Sequence, residues 1–93
     1  MKLRVHAFLI YATGEKEFDM KAPATIRQLL EDFSNRFGEP FDKWIWSSNE
    51  VPHRLMAGTI IMVNGKHIAH LNGLDTPLCD EDVVNIFPPV GGG

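Results

Sequence analysis

Ninety-three residues carrying a formal charge of −3 fit one domain, and no cluster of Lys or Arg supplies the basic footprint that binding a phosphate backbone requires. Hydrophobic residues make up 44% of the chain, with six Phe and two Trp, enough apolar material for a two-layer core. Cys79 is the one cysteine, which excludes an intramolecular disulfide, and the opening Met1–His6 breaks its apolar residues with charges, unlike a leader or a membrane span. A cytosolic protein away from membranes and nucleic acid is expected.

Lys2 to Tyr11 reads as a strand, with Leu3, Val5, Ala7 and Leu9 recurring at period two. Ala12-Thr13-Gly14 then reads as a turn and Glu15 to Met20 as a second strand, so the first pair is expected to be a hairpin. Thr25 followed by Gln28 has capping-box spacing, in which each side chain satisfies an orphan backbone N–H, and this places a helix start at Thr25. Ile26, Leu29, Leu30, Phe33 and Phe37 form one apolar stripe that must lie on a sheet, and Gly38 with Pro40 is expected to stop the helix.

Glu39 to Gly58 lacks regular periodicity and reads as an inserted loop holding at most a short turn or strand. Within it Trp44 and Trp46 stand two apart, so in an extended segment they share a face, as a satellite core or a docking surface. Thr59–Val63 and Lys66–Ala69 flank Asn64-Gly65, a pair that tolerates the positive φ angles of a type I′ hairpin. Residues 72–77 form a connector, Asp80-Glu81-Asp82 a charged turn, and Val83–Phe87 a final strand. The order β-β-α-β-β-β, with one crossover helix between two strand pairs, favours a right-handed crossover that makes the first and last strands parallel neighbours. The fold class is therefore α+β, a β-grasp with a mixed sheet, in which residues 1–93 form a single domain and 88–93 a projecting C-terminal tail.

That tail is Pro88-Pro89-Val90-Gly91-Gly92-Gly93. Proline lacks the N–H that would continue sheet pairing, so the two prolines should direct the chain off the sheet, with Phe87 helping to fix where it leaves and meeting a partner. At about 3.1 to 3.3 Å per residue the segment from Pro88 could reach roughly 19 Å, enough to enter a partner's catalytic centre. Glycines remove every side chain from the tip, leaving the carboxylate of Gly93 open to attack from either side. A free carboxylate is a poor electrophile, so acyl chemistry at it requires an ATP-using partner to make an acyl-adenylate first.

Other clusters carry less chemistry. His67 and His70 have an HxxH spacing, but on a strand end they should face opposite ways as surface residues, with no metal held. Cys79 lies between Leu78 and an acidic run, unlike the electropositive surroundings of reactive cysteines, and reads as a small core residue. No Ser-His-Asp set, phosphate-cradling loop or HExxH sequence is present, so the chain has no catalytic constellation of its own.

These residues resemble the MoaD/ThiS family of ubiquitin-like sulfur carriers, and within it the MoaD branch, the small subunits of molybdopterin synthase. The resemblance runs through Val63-Asn64-Gly65-Lys66, Leu71-Asn72-Gly73-Leu74-Asp75-Thr76, Asp80-Glu81-Asp82-Val83-Val84 and Ile86-Phe87-Pro88-Pro89-Val90, and more loosely through Thr25–Leu30. It implies that Gly93 is adenylated by a ubiquitin-activating-type (MoeB/ThiF-like) adenylyltransferase that uses ATP, then converted to a thiocarboxylate by a sulfur donor. It also implies a MoaE-like large subunit as partner and no bound cofactor. Gly92 and Gly93 match the family's terminal diglycine, while Gly91 stands where the family usually has Ala, and the Trp44–His53 segment is longer than in compact members. Carriers of this kind also serve tungsten cofactor, thiamin, cysteine synthesis or tRNA thiolation, and some are joined to lysines. The competing reading of another class is a β-grasp interaction domain that binds partners without chemistry.

Overall fold

A computed structural model describes residues 1–48, 50 and 53–89. The first strand, β1, runs only from Lys2 to Val5, with Leu3 and Val5 buried. Ala7 then takes φ 54° and ψ −130°, and Phe8–Thr13 winds into a helix, α1. The expected strand to Tyr11 is thus half a strand and half a helix. Leu9 and Thr13, four residues apart, form the buried side of α1, whereas Phe8 and Tyr11 are 53% and 84% exposed. The Thr13 hydroxyl donates to the Leu9 carbonyl at 2.9 Å, and Gly14, at φ 81°, caps the helix with its N–H on the Ile10 carbonyl. The expected turn at Ala12-Thr13-Gly14 is therefore a helix end. β2, Glu17–Asp19, still pairs antiparallel with β1, joined to it by α1 rather than by a tight hairpin.

α2 spans Ile26–Phe37 from the N-cap Thr25, whose hydroxyl accepts the Gln28 N–H at 3.2 Å. Only this half of the capping box forms, since the Gln28 side-chain amide donates to Asp32 Oδ1 at 2.7 Å. Ile26, Leu29, Leu30 and Phe33 are buried. Gly38, at φ 67°, closes α2 through its N–H to the Ser34 carbonyl and opens a further helix, α3, over Glu39–Ile45. Pro40 starts this helix rather than ending order, because an N–H is dispensable in a first helical turn. Glu39 and Asp42 in that turn complement its positive end. Phe41 and Ile45 are fully buried and Trp46 bridges Leu55, so the segment 39–58 contributes to the core instead of forming an inserted loop.

β3 (Ile60–Val63) and β4 (Lys66–His67) form the expected hairpin, with Asn64 and Gly65 at φ 52° and 84°. β4 stops two residues short of Ala69 because Ile68–His70 enters a 3₁₀ turn, and a second such turn covers Gly73–Asp75. β5, Val83–Phe87, completes a sheet in the order β2-β1-β5-β3-β4, parallel only between β1 and β5. This is the mixed β-grasp sheet, with β5 at its centre.

Candidate functional site

The site is the root of the C-terminal segment. Along β5 the side chains alternate: Val84 and Ile86 are fully buried and Pro88 is buried behind them, which turns Asn85 and Phe87 to the opposite, open face. Parallel pairing puts Val5 beside Ile86, and the His6 N–H continues the ladder to the Ile86 carbonyl at 3.1 Å. One residue past β1, the His6 ring therefore reaches Phe87. The rings stack at 4.1 Å with 12° between planes, and His6 Nε2 donates to Asn85 Oδ1 at 3.0 Å. On the other flank, Ile60 pairs with Phe87 and Met62 with Asn85. A half-exposed aromatic and aliphatic surface thus borders the point where the chain leaves the sheet.

The expected tail begins later than Pro88. Pro88 is buried and Pro89 half-buried, and a Cβ built on Gly58 would stand 3.5 Å from the Pro89 Cβ, so both prolines lie against the body. Val90, Gly91, Gly92 and Gly93 themselves lie outside the described residues. Of the expected site, the structure therefore places Phe87, Pro88 and Pro89.

His6 and Asn85 were missed by sequence reasoning, although a signal existed. Once β1 and β5 are taken as parallel neighbours, the residue after Val5 must fall beside the residue after Ile86.

The remaining candidates serve structure. Asp80 Oδ1 accepts the Ala22 N–H at 2.7 Å, and Asp82 accepts from the Cys79 N–H and the Asn64 side chain, both at 2.8 Å. The acidic turn thus ties the segment between β2 and α2 to the β3–β4 hairpin. Cys79 itself is exposed, not a core residue. The 3₁₀ turn after β4 undoes the expected opposite orientation of His67 and His70, whose rings meet edge to face at 6.4 Å, and His67 Nδ1 accepts the Ala69 N–H. Among the described residues no group of three or more His, Cys, Asp or Glu converges to hold a metal.

Trp44 and Trp46 do not share a face. Trp46 is buried, donates Nε1–H to Ser34 Oγ at 2.7 Å and stacks on His53 at 4.7 Å. Trp44, half-buried on α3, stacks on Phe8 of α1 at 4.7 Å. The helical turn at 39–45 separates what an extended chain would have aligned.

Arg4 Nε donates to Glu17 Oε1 at 3.0 Å, and this bond holds the Glu17 carboxyl below the ordinary glutamate range against a weaker opposing effect of desolvation.

Comparison with known proteins agrees with this architecture. Small archaeal modifier protein 3 of Haloferax volcanii is 28% identical over 95 residues, covering 100% of this chain and 98% of that protein. The solution structure of small archaeal modifier protein 1 from Methanosarcina acetivorans superposes with a TM-score of 0.82 at 30% identity, covering 99% of this chain and 94% of that one. A putative molybdopterin converting factor, subunit 1, from Pyrococcus furiosus gives a TM-score of 0.69 at 28% identity over 96% and 95% of the two chains. The ThiS family model matches residues 3–93, and the chain belongs to that family of ubiquitin-like sulfur carriers and modifiers.

Proposed function

We propose that the chain carries sulfur as a thiocarboxylate on Gly93 and delivers it in molybdopterin synthesis, working in the cytosol with a MoaE-like large subunit. The observation that carries this reading is the central strand β5, which runs past an open His6–Phe87 face into Pro88-Pro89 and then the glycine end. The Gly93 carboxylate oxygen attacks the α-phosphorus of ATP held by a ubiquitin-activating-type partner, displacing pyrophosphate and leaving an acyl-adenylate. A hydrosulfide-equivalent donor then adds to the acyl carbon and AMP departs, so that one oxygen of the carboxylate is replaced by sulfur. The carrier supplies no catalytic group and binds no cofactor. It contributes a side-chain-free acyl end and a docking face, on which Phe87, stacked on His6, offers a rigid aromatic anchor to the partner.

The similarity to Pyrococcus furiosus molybdopterin converting factor subunit 1 favours the pterin acceptor. Similarity to two small archaeal modifier proteins favours a second use of the same adenylate, attack by a lysine amine to form an isopeptide. Incubation with ATP, sulfide and the cognate activating enzyme should raise the intact mass by about 16 Da, the oxygen-to-sulfur difference. Deletion of Gly93 should abolish the shift. An unchanged mass with an enzyme that activates a control carrier would overturn the thiocarboxylate reading. Lysine-linked adducts in its place would establish the second use.

A further inference from the structure

We infer a second binding site, a groove that takes an acidic peptide segment with an aliphatic anchor from a partner protein. It shares no lining residue with the His6–Phe87 face. The groove, of about 480 Å³, lies between the first turn of α2, the segment returning from α3, the end of β4 and the second 3₁₀ turn. Its floor is Leu55, Ile68 and Leu74, and the ionised groups that line it are Arg27 and Arg54, with no carboxylate among the lining residues. The lining thus offers guanidiniums and no carboxylate, although the chain as a whole carries a net charge of −3.

The hydrogen-bonding roles agree. The two nearby carboxylates are already engaged: Asp75 by Arg27 Nε and Nη2 at 3.3 Å, and Glu31 by His53 Nδ1 at 2.8 Å. Among the described residues Arg27 has no partner at Nη1, and the exposed Arg54 guanidinium has no side-chain partner. His67 Nδ1 accepts the Ala69 N–H, so in the neutral ring the proton sits on Nε2 and that atom donates. The rim thus offers donors and positive charge above three aliphatic side chains. An extended segment carrying Leu or Ile between Asp or Glu residues matches both layers: its anchor removes the floor from water while its carboxylates meet the guanidiniums. This fit does not depend on the carrier chemistry at Gly93.

Backbone amide NMR titration of the whole chain tests it, with a short peptide holding a Leu-Leu pair flanked by aspartates as the probe. Shifts confined to residues 53–55, 67–69 and 73–74 are expected. Arg54→Glu, at an exposed position where folding is not at risk, should weaken binding by about tenfold or more, and Ala69→Asp should do the same from the opposite rim. A peptide with serines for the leucines, or lysines for the aspartates, should bind far less. No shift at millimolar peptide, equal binding of the lysine peptide, or unchanged affinity of Arg54→Glu would each overturn the proposal. Octanoate binding as tightly as the peptide would also overturn it, in favour of a small amphipathic anion. Because the readout is binding, its failure would leave the mass-shift result at Gly93 untouched, and the reverse holds.

Discussion

The three strands β1, β5 and β3 with α2 form one region of the molecule, and the paired helices α1 and α3 form another. In the first, every buried residue is fixed twice, by its own strand or helix periodicity and by the neighbour across the ladder or stripe: Ile86 lies opposite Val5 on one side and Ile61 on the other. In the second, α1 and α3 are six and seven residues long and meet through the Phe8–Trp44 stack, with Leu9, Phe41 and Ile45 buried beneath. Neither helix is long enough to persist alone, so each exists because its few apolar residues reach the common core. The difference shows that core membership does not require a readable pattern.

The largest effect that could break this comparison is a truncation in the second region. Phe41 is fully buried and packs 5.8 Å from the Phe33 ring of α2. Phe41→Ala should cost about 4 kcal/mol in denaturant unfolding, comparable with about 3 kcal/mol for Leu29→Ala in α2. A cost under about 1 kcal/mol for Phe41→Ala would make α3 an appendage to a self-sufficient sheet-and-helix core.

A smaller effect, of opposite sign, sharpens the same contrast at the joint between the regions. Ala7 holds φ 54° and ψ −130°, a conformation that glycine adopts readily and other residues adopt with strain, and no side-chain cap stabilises the helix that follows. Ala7→Gly removes roughly 1 to 3 kcal/mol of strain while loosening the unfolded chain by about 0.4 to 1 kcal/mol, so a net stabilisation of about 1 kcal/mol is expected. Thermal or urea unfolding reads it directly, and a net destabilisation would show that the bend is unstrained.

The same residues explain what could be read from the sequence. β5, the Asn64-Gly65 hairpin, the Thr25 cap, the α2 stripe and the parallel β1–β5 pairing were all legible, because turn chemistry and hydrophobic period point the same way in each. The run from Leu3 to Leu9 misled because a short apolar run satisfies period two and one helical turn equally well, and the device that separates them is a backbone angle at an alanine. Pro40 misled because a proline past a glycine marks both a stop and a first helical turn, and only the burial of Phe41 and Ile45 distinguishes them. At the candidate site, Phe87, Pro88 and Pro89 were legible as the end of a strand. The burial of Pro88 was not, since it depends on the alternation of β5 carrying one residue beyond the last ladder pair.

The smallest expected effect concerns the strand pair that α1 now joins. Arg4 and Glu17, paired across β1 and β2, meet at 3.0 Å with side chains 48% and 42% exposed, so solvent and salt screen the pair and its share of stability is minor. The Arg4 hydrogen bond is the largest influence on Glu17, and Lys2 and Lys16 add to the lowering, so the folded carboxyl titrates below its unfolded value. A depressed carboxyl contributes stability above the unfolded value and loses it as pH falls through the folded one, so the pair favours folding at neutral pH and ceases to do so in acid. Carboxyl-carbon NMR of Glu17 should show its midpoint rise towards the ordinary glutamate value in Arg4→Gln, and rise partway in the unchanged chain at high salt. A midpoint indifferent to both changes would mean that the β1–β2 register is held by backbone pairing alone, with the helix between them needing no help from the charges at its base.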